Sequence, residues 1–115
     1  MPRVLGLHMV ELRPGVESAE FESFVLEKFL PALARLDAPS VEFHLFKADR
    51  GTRDKKFLFT ISFESKEIRD LYFPGHNQPS EELLALIRPL QELSQIWERL
   101  SEREKTDYIQ LDDDL

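Results

Sequence analysis

The chain has 115 residues, and its 22 acidic side chains against 15 Lys and Arg leave a formal net charge of -7. The absence of cysteine excludes disulfides, Cys-ligated zinc, iron–sulfur clusters and thiol catalysis. The acidic balance argues against nucleic acid as a partner, because phosphate affinity rests on clustered Lys and Arg.

Val4 to Leu12 (VLGLHMVEL) is β-rich and largely apolar at both alternating sets of positions, as expected of a strand covered on both sides. Arg13-Pro14-Gly15 ends it. Ser18 is the expected N-cap of a helix that carries Phe21, Phe24, Val25, Phe29, Ala32, Leu33 and Leu36 at three- and four-residue spacing. Pro31 lies inside that stripe and should kink the helix or start a second segment. Asp37 to Ser40 closes the unit. Val41 to Lys47 and Lys56 to Glu64 read as two strands joined by a turn containing Asp49-Arg50-Gly51. In them Val41, Phe43, Leu45, Phe57, Phe59, Ile61 and Phe63 form a core face. The opposite face, with Glu42, His44, Phe46, Leu58, Thr60 and Ser62, is mixed.

Ser65 should cap a short helix, Lys66 to Tyr72, stopped by Phe73-Pro74-Gly75; His76 to Pro79 is a polar loop. Ser80 caps a longer amphipathic segment with Leu83, Leu86, Ile87, Leu90, Leu93, Trp97 and Leu100, and Pro89 should bend or divide it. Ser101 to Lys105 reads as a charged connection, and Thr106 to Leu111 as a last short strand. A single domain is expected over residues 1–111, with 112–115 an acidic tail. No apolar run approaches the ~20 residues of a membrane span, and Met1-Pro2-Arg3 lacks the pattern of a signal peptide. The expectation is a cytoplasmic protein without a membrane partner.

The order βαββαβ is that of the ferredoxin-like unit, an α+β fold with a four-stranded antiparallel sheet and helices on one face. The uncovered face should then be polar in a monomer. Here it would expose Leu58, Phe46 and half of an apolar first strand, so a homodimer through the open sheet face, closing an α+β barrel, is expected.

On these features the chain resembles the dimeric α+β barrel proteins, among them stress-responsive barrel domains, EthD-like and NIPSNAP-like proteins and antibiotic-biosynthesis monooxygenases. The features are Glu11-Leu12-Arg13-Pro14-Gly15 closing the first strand, the Phe-rich first helix and third strand, Ser65-Lys66-Glu67 opening a short helix, and Thr106-Asp107-Tyr108 in the last strand. The resemblance implies a dimer with a cavity between sheet and helices or inside the barrel. It leaves the chemistry open, from cofactor-free oxygenation to haem degradation or no activity.

Candidate catalytic residues are His8, His44 and Glu42, with Thr60 and Ser62 as polar companions. If His8 shares the face of Glu42 and His44, these side chains converge on the non-helical face. Such a group fits a hydrogen-bonded polar layer at an interface, a His–Glu general base, or a two-His, one-carboxylate metal site. Further candidate ligand-binding residues are Tyr72 and His76 beside the Pro74-Gly75 break, Trp97 on the apolar stripe and Tyr108 in the last strand. A haem would need His8 or His76 as axial ligand, and no motif supports either, so no cofactor is expected.

RNA-recognition domains share the element order, but Lys56 stands where their third-strand motif has Gly and Ser62 where it has an aromatic. Two functions remain. One is a barrel that binds a small apolar or aromatic ligand, and whose chemistry could be that of a cofactor-independent oxygenase- or isomerase-like enzyme. The other is a non-catalytic dimerisation or sensing module with a packed interior. A cavity near a His separates them.

Overall fold

The computed structural model describes residues 3–36, 38, 40–51, 57–76 and 78–112. Its elements are β1 (Val4–Leu12), α1 (Ser18–Phe24), a π-helical turn (Val25–Phe29), α2 (Leu30–Ala34), β2 (Val41–Lys47), β3 (Phe57–Phe63), α3 (Lys66–Tyr72), α4 (Glu81–Ile87), a 3-10 turn (Arg88–Leu90), α5 (Gln91–Leu100) and β4 (Ser101–Ile109). The strands form one four-stranded sheet in the order β2-β3-β1-β4, with each neighbouring pair antiparallel. This is the expected ferredoxin-like α+β arrangement.

Register decides which side chains share a face, because alternate residues of a strand point to opposite sides. Val4, His8 and Val10 of β1 stand opposite Phe63, Phe59 and Phe57 of β3, and Phe43 and Leu45 of β2 stand opposite Ile61 and Phe59. These residues meet the helices. Phe59 is the hub, packing edge-on against Trp97 and Phe29 and beside Phe43. Phe21 completes the cluster against Phe57 and Trp97. Burying each such ring contributes about 1.5–3 kcal/mol.

Ser65 and Ser80 cap as expected: their hydroxyls accept from the backbone N–H of Ile68 and Leu83 at 3.3 and 3.1 Å. Ser18 does not. It is already the first helical residue, Glu17 occupies the cap position, and no side chain caps there. A one-residue displacement of this kind arises because backbone geometry sets a helix end as much as a capping hydroxyl does. Upstream of Pro31 the helix widens into the π-helical turn, where Leu30 N–H bonds the Val25 carbonyl. The wider turn accommodates a ring that would otherwise strike the preceding turn, so the two helical pieces stay nearly continuous. Pro89 falls in the 3-10 turn and divides α4 from α5. Gly15 turns the chain out of β1 with φ of +85°, a conformation that glycine adopts without a Cβ clash.

The last strand departs from expectation. β4 begins at Ser101, directly after α5, and residues Ser101 to Lys105 pair with β1 from Leu12 back to His8. The alternation of Glu102 and Glu104 with Arg103 and Lys105 hid the strand. Charge on both faces suits an edge strand, where it discourages pairing with another chain. Residues 113–115 of the expected tail, Lys56 at the start of the expected third strand, Asp37 and Asn77 lie outside the described residues.

Candidate functional site

The expected set of site residues is divided by the sheet. Glu42, His44, Thr60 and Ser62 do share the open face, with Glu42 opposite Ser62 and His44 opposite Thr60. The Glu42 and His44 side chains lie 3.7 Å apart and are both mostly in solvent. Tyr108 is on the same face at the far side, opposite Leu5, and 54% exposed. His8 does not join them. Its partners in the ladders are Phe59 and Lys105, so it faces the helices, and the His–Glu pair imagined around it does not form. The cause is the even spacing along β1: the register that buries Val4 and Val10 carries His8 inward with them. Among the described residues no group of three or more His, Asp or Glu side chains is placed to hold a metal ion.

Two of the cavities on the helical side of the sheet adjoin His8. The first is a cleft of about 260 Å³ between sheet and helices, walled by residues such as Phe29, Leu33, Phe43, Leu86 and Ile87. Tyr72 lines it, half-buried. The second is a polar recess of about 300 Å³ around Arg69, Asp70, Asp107 and the expected His76. Gly6 contributes to this recess because it has no side chain: a Cβ there would come within 3.4 Å of Asp107 and of the Ile61 carbonyl. His8 and Lys105 line both cavities and mark the boundary between them. Trp97 lines neither. It is core, 1% exposed, and its Nε1–H has no acceptor among the described residues.

The polar groups at this boundary are arranged by β4. Arg103 packs its guanidinium over the Trp97 ring, 5.0 Å from the centroid. Its Nη1 donates to His8 Nδ1 at 3.3 Å, and its Nη2 lies 3.5 Å from Glu98. A guanidinium can only donate, so Nδ1 accepts and the proton of the neutral ring sits on Nε2. The imidazole is held neutral: burial first, then the nearby Arg103 and Lys105 charges, push its pKa down to about 3. Desolvation also lowers the Arg103 and Lys105 values, and the Arg103 charge adds to the effect on Lys105. A carboxylate-supported general base is therefore replaced here by a neutral hydrogen-bond donor flanked by two cations.

In the recess, Arg69 donates to Asp70 and to Asp107, both at 2.7 Å, and so ties α3 to β4. Arg69, Arg103, Lys105 and Asp107 carried no signal as site residues in the sequence. The last three become visible only when Ser101 to Ile109 is taken as a strand, which sends every second one of its side chains toward the helices, and Arg69 only when α3 is set beside that strand.

Among its polar residues the uncovered face carries an apolar patch. Phe46 is 52% and Leu5 37% exposed, with Leu7, Met9 and Leu58 half-buried between them. No described helix is long and apolar enough to cross a membrane.

No family model matches the chain, and neither does any curated protein. Solved structures do. A dabb family protein with a ferredoxin-like fold from Mesorhizobium loti aligns with a TM-score of 0.60 at 16% identity, over 96% of this chain and 99% of that one. A hypothetical Arabidopsis thaliana protein also gives 0.60 at 16% identity, over 100% of this chain and 94% of that one. A dimeric protein of unknown function with a ferredoxin-like fold from Bacteroides fragilis gives 0.51 at 18% identity, over 92% and 94% of the two chains. At these identities the likeness is one of fold: the chain has the ferredoxin-like fold of these proteins along nearly its whole length.

Proposed function

We propose that this protein binds a small molecule in the cleft between sheet and helices, and that it does so as a homodimer paired through the open sheet face. The observation that carries the first half is the apolar cleft of about 260 Å³ with a buried, neutral His8 in its wall, opening toward the polar recess. Apolar walls with a few converging polar groups are the usual composition of a ligand site. The second half is supported by exposed Phe46 and Leu5 on a sheet face without helices, and by the dimeric state of the Bacteroides fragilis protein. An interior filled throughout would have favoured a purely structural module.

Within this reading His8 is a donor. A neutral imidazole N–H beside an ammonium can bind and orient a carbonyl or carboxyl oxygen, a positioning role rather than base catalysis by His8 itself. Glu42 and His44 belong instead to the dimer interface.

Native mass spectrometry tests both halves. The expected species is a dimer of about 27 kDa, twice the 13.5 kDa chain, that takes up small aromatic molecules. Ile87→Trp, which fills the cleft, should abolish that uptake and leave the dimer intact. A monomer at micromolar concentration overturns the pairing. Uptake unaffected by Ile87→Trp overturns the cleft.

A further inference from the structure

We propose that the cleft selects amphiphilic anions: a small aromatic or aliphatic body in the apolar part, and a carboxylate or comparable oxyanion at its boundary with the recess, against Lys105, Arg103 and the Nε2–H of His8. The proposal rests on the cleft being a ligand site and specifies what that site takes.

Its basis is a local reversal of charge. The whole chain is acidic, with a net charge of -7. Yet the described residues lining the cleft include Arg103 and Lys105 and no Asp or Glu. The carboxylates nearest the boundary are already engaged. Asp70 and Asp107 in the recess are both held by Arg69. Glu98 reaches Arg103 only at 3.5 Å and is 64% exposed. Lys105 makes no ion pair with a described residue and acts on Glu98 only through space. Lys105 is an exposed residue whose ammonium is partly desolvated and has no close ion pair among the described residues, an arrangement that an incoming anion improves and an incoming cation worsens.

Three features add direction to the charge. Arg103 is fixed by the Trp97 ring and by His8, so its position needs little ordering when ligand arrives. No described residue accepts from His8 Nε2, which leaves that donor for the ligand. Apolar surface lies on one side of these groups and the recess on the other. A molecule with one apolar and one anionic end satisfies both environments at once.

Calorimetry with three isosteric probes tests the proposal: 2-naphthoate, the neutral 2-naphthamide and the cationic naphthalene-2-carboxamidine. The anion should bind at least about tenfold more tightly than the amide, the amidine most weakly, and added salt should narrow the gap. Lys105→Gln should lower naphthoate affinity about tenfold with the amide unchanged, and Ile87→Trp should abolish binding of all three. Equal affinity for anion and amide overturns the anion selectivity and leaves the cleft as a ligand site. A preference left unchanged by Lys105→Gln overturns the placement of the anion against Lys105. Failure of all three probes to bind overturns the cleft reading and this proposal together.

Discussion

The two faces of the sheet use the same strands for opposite ends. On the helical side, Val4, Val10, Phe57, Phe59 and Phe63 are buried, and polar groups there such as His8 and Arg103 are held in place by specific partners. On the other side apolar groups are exposed or half-buried, Thr60 is buried among them, and Glu42 and His44 meet loosely in solvent. One face is finished by the chain itself; the other asks for a second surface. Apolarity alone therefore does not locate a core. What distinguishes the faces is whether the chain supplies something to cover them.

The largest test of this contrast is a charge placed in the finished face. Phe59→Asp puts a carboxylate at the centre of the aromatic cluster, and the expected loss, more than about 4 kcal/mol, takes up most of a domain's stability. Circular dichroism should show no cooperative unfolding. A folded variant would mean that Phe59 is not the hub that the ring contacts describe.

The pH dependence comes next. His8 is held neutral with its pKa near 3 in the folded state against about 6.5 when unfolded. Between those values the unfolded chain binds the extra proton, so stability is full above about pH 6.5 and is lost as pH falls toward 3. The full extent is on the order of 4–5 kcal/mol, from ~1.4 kcal/mol per pH unit. Denaturant midpoints measured from pH 7 to 4 should fall faster in the native protein than in His8→Gln, which has no such group to titrate. Parallel profiles would place His8 in contact with solvent, away from the Arg103 and Lys105 charges.

On the unfinished face the same substitution should act on assembly alone. Leu58→Asp is expected to weaken pairing by about 2–3 kcal/mol and to leave secondary structure unchanged. Sedimentation would then show a folded monomer at concentrations where the native protein pairs. A variant that remains a stable dimer would move the interface off this face.

The smallest effect belongs to the recess. Asp107→Asn removes one of the two carboxylates on Arg69, a partly exposed pair, and should lower stability by only about 0.5–1 kcal/mol. It should also raise naphthoate affinity modestly, since Arg69 is then less fully neutralised. Unchanged binding would separate the recess from the cleft.

How much of this was legible in the sequence follows from the distance over which each feature is decided. The caps at Ser65 and Ser80 and the break at Pro89 involve residues a few positions apart and were read as they stand. The core face of β2 and β3 was also readable, because every second residue from Val41 to Leu45 and from Phe57 to Phe63 is large and apolar, whereas the opposite set is mixed. β1 has no such alternation. With both halves apolar, its inward set had two candidates, and the wrong one was needed to bring His8 to Glu42 and His44. β4 failed for the converse reason: with charges at both sets of positions, five of its residues passed for a connection.

The order of elements, the ferredoxin-like fold and a mixed sheet face left without helices thus follow from the residues alone, since periodicity, capping and turn residues act locally. Which way His8 points, and that Arg103 and Lys105 stand beside it, is settled by the assembled sheet. Those facts depend on the register of β1 against two strands distant in the chain. A shift of one residue would send every side chain of that strand to the other face, and the energy that prevents it comes from packing across the whole sheet.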